Sequence, residues 1–344
     1  MLSSHRSPLY VRWWLVFTVF VLFAVAAVGC VATVEVPQTE SVQEDAASEA
    51  QTRLVKHFGG ETEIPATPQR PVALNGALGL WPLGIKPVGA PAPSEFEKGW
   101  IPEEIGGAEW YDGIADVGWD PNLEAVTALN PDLIVGADWH MDQYEQLSAI
   151  APTVLVEFNH SGRWKEYARQ EADFLNALDA YNEYMDWYET RIEEIKSRMT
   201  VPPEEISVSV VRVYEDSLTL YTRGGFLGQV LKDFGFKRPP SQDLSAEESG
   251  EWQIQYLITF EELEKADADV LILVITQRAD PTRQDQVDKL KESLLNHPLW
   301  PKLQVVEAGR VEEVGFAWIS DIGAVHIVLD DIERIFVEND IMSQ

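Results

Sequence analysis

Apolar positions follow different rhythms in different stretches of the chain, and each rhythm predicts a different element. From Ala177 to Met199 there is no Gly or Pro, and Leu178, Tyr181, Met185, Tyr188, Ile192, Ile195 and Met199 step by three and four. That spacing lays one apolar stripe along a helix. Pro202-Pro203 ends it, because proline lacks the N–H a helix needs and crowds the preceding turn. At about 1.5 Å per residue the rod is about 30 Å long, the width of a lobe, and it reads as a connector. Before it, short apolar runs at Pro71 to Leu74, Lys86 to Ala90, Asp132 to Gly136 and Thr153 to Glu157 alternate with helical stretches and Gly/Pro turns. After it come runs at Ile206 to Tyr214, Leu218 to Tyr221 and Asp269 to Ile275, with helices from about Gly225 to Phe234 and Ser320 to Val337. Such alternation predicts layered α/β structure.

One pattern occurs in both halves. Glu124 leads a helical turn of Ala125, Val126 and Leu129, and Asp132 then opens Leu133-Ile134-Val135. Glu261 leads Glu262, Leu263 and Ala266, and Asp269 opens Val270-Leu271-Ile272-Leu273. A short helix feeding a buried parallel strand is used in duplicate, with an acid at each helix start. The expected fold is therefore α/β, with two α/β lobes of mostly parallel sheet joined by one long α-helix and a ligand cleft between them. Thr259 with Glu262 also reads as a capping box, the plain structural use of acids at that place.

The start of the chain has another rhythm. Arg6 and Arg12 precede an apolar run from Trp13 to Gly29, which ends in small residues before Cys30, the only cysteine. The segment resembles a bacterial lipoprotein signal, although Ala27 stands where such sites usually carry Leu. The boundaries expected are a signal peptide over 1–29, a lipid-anchored tether over 30–53, a first lobe over 54–176, the linking helix over 177–200 and a second lobe over 201–344. An acylated Cys30 would hold the protein to a membrane without a spanning helix; an uncleaved transmembrane anchor is the other reading of the same run. Both place the bulk of the protein outside the cytoplasm, in a periplasm or on the outer face of the membrane.

Charge narrows the partners. The formal net charge is −31 over 344 residues, which excludes nucleic acid as a partner, since phosphate binding needs a cationic face. The chain lacks a G-x-S-x-G elbow, an H-E-x-x-H helix and a P-loop, so an extracytoplasmic hydrolase built on paired carboxylates is a distant alternative.

A series of short segments carries a closer likeness. Val55-Lys56-His57 and Gly60-Glu61-Thr62-Glu63-Ile64-Pro65 form a hairpin start, followed by Pro68-Gln69-Arg70-Pro71-Val72, Gly84-Ile85-Lys86-Pro87-Val88-Gly89 and Asn122-Leu123-Glu124. Asn130-Pro131-Asp132-Leu133-Ile134, Ile150-Ala151-Pro152-Thr153, Pro298-Leu299-Trp300 and Gly309-Arg310-Val311 continue the series. In that order they resemble the substrate-binding lipoproteins of iron–siderophore ABC transporters, the clamp-like class with one helix between lobes, over Leu54 to Val337. The resemblance implies capture of a ferric siderophore without catalysis, delivery to a membrane permease, and no covalently bound cofactor. It implies that Glu124 and Glu261 dock on the permease, and the protein is expected to act as a monomer. These segments do not separate siderophore from haem or cobalamin or another metal complex.

Cleft residues must come from loops at strand ends. The candidates are Asn75, Trp81, Trp139, His140, Arg212, Tyr214, Tyr221, Arg223, Gln277, Arg278, Phe316 and Trp318. Aromatic walls with a few fixed donors suit a bulky chelate, and arginine can fork onto chelating oxygens. Resemblance favours Arg212, Tyr221 and Trp318. The chelator is expected to hold the iron. Asp138, His140, Met141 and Asp142 have ligand-type side chains, but their spacing fits no standard metal site.

Overall fold

Residues 51–248, 254–278, 280–315 and 321–343 are described by a computed structural model of the chain. Cys30, Phe316, Trp318, the signal peptide and most of the tether lie outside the described residues.

The hairpin start is β1 (Thr52–His57) against β2 (Gly60–Pro65), antiparallel with His57 opposite Gly60. His57 ties it to the sheet behind, its Nδ1 accepting from Leu155 N at 3.2 Å. Next come β3 (Pro71–Ala73), β4 (Gly89–Ala90), β5 (Ala115–Asp116), β6 (Leu133–Ala137) and β7 (Thr153–Val156). They form a five-stranded sheet in the order β5-β4-β3-β6-β7, with every pair parallel. Every residue of β3, β6 and β7 is buried, which is why these strands read as unbroken apolar runs and not as alternation.

The second sheet contains β8 (Val208–Val213), β9 (Leu218–Tyr221), β10 (Gln255–Ile258), β11 (Val270–Ile275) and β12 (Val311–Val314). Its order is β10-β9-β8-β11-β12. β8, β11 and β12 are parallel, while β9 runs antiparallel to both β8 and β10. The exception has a simple cause. Tyr214 N bonds Ser217 O at 2.9 Å, closing a turn too short for the crossover that a parallel neighbour requires.

The duplicated pattern is also duplicated in three dimensions. Asp132 accepts from Gln69 N and Arg70 N at 2.6 and 2.9 Å, just before β3. Asp269 accepts from Ser207 N and Ser207 Oγ, both at 2.8 Å, just before β8. Each aspartate thus pins the start of one central strand to the start of the next.

The rod is the helix Leu178–Arg198, close to the expected limits. It buries Tyr181, Tyr188, Ile192 and Ile195 in a core that also contains Val135 and Val154 of the first sheet and Val208, Val210 and Ile272 of the second. Each fully buried Ile contributes about 2–3 kcal/mol of hydrophobic burial. Asp233 adds a polar tie, accepting from Tyr188 Oη at 2.7 Å and from Lys165 Nζ at 2.6 Å. A second seam joins the halves where the turn Leu78–Leu83 meets the turn Ile322–Ala324. A Cβ on Gly323 would lie 2.3 Å from Leu78 O, so only glycine permits that approach. The last helical segment continues as Val325–Glu333 and closes with a π-turn over Arg334–Glu338.

Candidate functional site

In an open parallel sheet, ligands sit beyond the carboxyl ends of the strands, where loops diverge. Both sheets offer such an edge. A pocket of about 440 Å³ lies at the ends of β11 and β12, lined by Ile275, Gln277, Arg278, Val314 and Gly315, and Phe96 from the first half closes it. The volume falls within the ordinary range for small-molecule sites.

Arg212 organises the second sheet's contribution. It projects from β8 and is 5% exposed. Its Nε donates to Thr276 Oγ1 at 2.9 Å, and Nη1 donates to Tyr214 Oη and Tyr221 Oη, both at 2.8 Å. Its guanidinium carbon lies 4.0 Å from the centre of the Tyr214 ring, within cation–π range. Three residues singled out from the sequence are thus brought into one cluster by the β8–β9 hairpin, whose register sets Arg212 against Thr219. Burial pushes the Tyr221 phenol up, so it stays a neutral hydrogen-bonding group.

Arg278 follows β11 and donates through Nε and Nη2 to the two oxygens of Glu215, at 2.8 and 2.9 Å. That hydrogen bonding holds the Glu215 carboxyl down at about 2. Arg223 follows β9 and pairs with Asp243 at 2.8 Å and Glu248 at 3.2 Å.

The first sheet supplies aromatic surface. Trp139, after β6, is 52% exposed and packs edge-on against Phe158, with ring centres 5.1 Å apart. Trp119, after β5, is 60% exposed and reaches over Gly76. The sequence offered a signal for Trp119: it stands in Gly118-Trp119-Asp120-Pro121, a turn in which a tryptophan has no core to enter. His140 is turned inward, 4% exposed, with Nδ1 accepting from Ala137 N at 3.1 Å, and burial keeps it neutral by lowering its pKa. Trp81 is held between the halves, its Nε1 donating to Gly323 O at 2.9 Å. Asn75 donates to Glu171 Oε1 at 3.1 Å.

Glu171 and Asp321 were not anticipated. Both line a small cavity of about 50 Å³ with Gly79, Phe158, Trp164 and Ile322, drawn from both halves. Burial raises the Glu171 carboxyl to about 7 and the Asp321 carboxyl to about 6. No periodicity marks them, since both owe their environment to contacts between distant segments. Among the described residues no group of three or more His, Cys, Asp or Glu could hold a metal. Asp138 instead accepts from Trp139 N at 3.0 Å and Phe158 N at 3.3 Å.

Glu124 and Glu261 are exposed, each in the first turn of a short helix. Asn122 caps one, its Oδ1 accepting from Glu124 N and Ala125 N at 3.0 and 3.1 Å. Glu262 accepts from Thr259 N at 3.1 Å in the capping box of the other. Each helix leads from one strand to a parallel strand of the same sheet, so it must start at the edge where strands finish. The two acids therefore occupy equivalent places, each at the edge of its own sheet where the parallel strands finish.

Comparison with known proteins agrees with this architecture. The chain is 33% identical to the "Probable siderophore-binding lipoprotein YfiY" of Bacillus subtilis over 87% of this chain and 92% of that protein. It is 28% identical to the Fe(3+)-citrate-binding protein YfmC of the same organism, over 76% and 77% of the two chains. Its fold matches that of Staphylococcus aureus SirA complexed with staphyloferrin B, at 24% identity and a TM-score of 0.68, over 82% of this chain and 97% of that one. A family model described as "Periplasmic binding protein" matches residues 114–316. Members of that family bind solutes and are not enzymes. With two α/β sheets on one linking helix and these matches, the chain belongs to the periplasmic binding protein family.

Proposed function

We propose that this protein is the extracytoplasmic solute-binding component of an ABC importer, capturing a ferric siderophore between its two sheets and delivering it to a membrane permease. The reading is carried by the buried, tyrosine-bound Arg212 near the end of β8 in the second sheet, with tryptophans exposed after β5 and β6 of the first. Together they supply a fixed cation framed by phenols and flat apolar surface, the chemistry that suits a bulky anionic chelate. Relatives named for siderophore and ferric citrate binding support the same ligand class.

Within this reading, Arg212, Tyr214, Tyr221, Arg278, Asn75 and Trp139 contact the chelate, joined by Trp318. Glu124 and Glu261 meet cationic residues of the permease, since matched charges on separate lobes fix orientation and speed encounter. Cys30 carries the lipid anchor, and the protein works as a monomer. Among the described residues no helix is long and apolar enough to cross a membrane. Purified protein titrated with ferric hydroxamate, catecholate and citrate chelates should show Trp quenching that saturates near one equivalent for at least one class. Flat titrations with all three would end the proposal.

A further inference from the structure

A separate pocket of about 340 Å³ lies between the helix Phe226–Phe234 and the segment that follows it, lined by Arg223, Gly228, Lys232, Phe236, Lys237, Arg238 and Asp243. It shares no lining residue with the pocket at the ends of β11 and β12. The sign of its charge opposes that of the whole chain. Four cationic side chains face one carboxylate in a protein of net charge −31.

Arg238 is the telling residue. It is 9% exposed, and no carboxylate lies within ion-pair distance of it among the described residues. Nη2 donates to Tyr221 O at 2.8 Å and to Gln242 Oε1 at 2.5 Å. Its Nε and Nη1, both closed off from solvent, hydrogen-bond nothing. A buried guanidinium with two idle nitrogens is costly unless an anion completes it. Burial lowers its pKa to about 9, so it remains charged at neutral pH. Arg223 is already engaged by Asp243 and Glu248. Lys232 and Lys237 are exposed and make no ion pair among the described residues, so their ammonium groups are available at the rim. Gly228 keeps the helix close, because a Cβ there would meet Thr222 O at 2.4 Å.

We propose that this pocket, distinct from the one at the ends of β11 and β12, is a second binding site, for a phosphate-type oxyanion. The charges of the buried Arg238 and the two rim ammoniums exceed what the single lining carboxylate, Asp243, can neutralise, and they suit a tetrahedral group with several oxygens. The anion is either free in solution or the headgroup of a phospholipid, and both present the same chemistry.

The test uses the whole protein, titrated calorimetrically with inorganic phosphate against sodium chloride of equal ionic strength. One equivalent should bind, with a rise in Tm that chloride does not reproduce. Arg238→Gln should abolish binding, and the surface double variant Lys232→Gln with Lys237→Gln should weaken it about tenfold or more. Because those two lysines are exposed, the double variant keeps the test decisive if Arg238→Gln folds poorly. Co-sedimentation with phosphatidylglycerol but not phosphatidylcholine vesicles, competed by phosphate, assigns the headgroup as source; phosphate binding without vesicle binding assigns a soluble anion. Absence of phosphate binding, or affinity unchanged in the double variant, overturns the site.

Discussion

At the scale of single residues, burial decides what each charged group can do. Arg212 has its Nε and Nη1 committed to Thr276, Tyr214 and Tyr221, so its plane is set before any ligand arrives. Lysine keeps the charge but cannot hold that geometry. Arg212→Lys is expected to weaken ferric chelate binding about tenfold or more, with a modest fall in Tm. Unchanged affinity by fluorescence titration would take Arg212 out of the ligand's path. Glu171 carries a different consequence. Its folded pKa of about 7 lies above the ordinary 4.5, so the folded state holds the proton more tightly. The stability this brings is complete below pH 4.5 and is lost as pH rises through about 7. Glu171→Gln removes that dependence, so its Tm relative to the parent should improve from pH 5 to pH 8. Melting curves displaced equally at the two pH values would count against a buried, proton-holding carboxyl.

At the scale of elements, the linking helix was readable because its stripe depends on spacing alone. Its bounds, Leu178–Arg198, match the pattern to one residue at each end. Ile195 is fully buried in the core that contains residues of both sheets, so Ile195→Ala should cost about 2–5 kcal/mol, measurable by urea unfolding. A loss below about 1 kcal/mol would mean the helix is not part of a shared core. The short strands were less legible. The expected run Lys86 to Ala90 reduces to Gly89–Ala90, because Pro87 has no N–H to give the ladder. β10 and β12 escaped notice, since Gln255–Ile258 and Val311–Val314 are edge strands with partly exposed residues. Edge strands have one unpaired side and need no continuous apolar run. The antiparallel direction of β9 depended on a turn between Tyr214 and Ser217, which hydrophobic rhythm does not register.

At the scale of the whole molecule, the two sheets are held as one body by the rod, by the Lys165–Asp233–Tyr188 tie and by the seam at Gly323. Large hinge rotation would break a common core, so ligand capture is expected to involve only small closure. The placement of Glu124 and Glu261 on equivalent edges makes a prediction at this scale. In cells that depend on this protein for uptake, Glu124→Ala with Glu261→Ala should abolish most ferric chelate import while leaving chelate affinity in vitro unchanged. Reduced affinity would locate those acids in the cleft and not on a docking face.

The α/β class, the duplicated helix-to-strand unit, the rod and a set of strand-end residues that includes Arg212, Tyr214 and Tyr221 were all readable from the unfolded chain. All of these rest on local spacing, which a chain carries without being folded. Packing alone settled which of the candidates meet, that His140 turns inward and Arg223 pairs with Asp243 and Glu248, and that Glu171 and Asp321 share a cavity. Those outcomes depend on segments far apart in the chain being pressed together. Desolvation and hydrogen-bond partners, which set the state of a charged side chain, exist only after that packing.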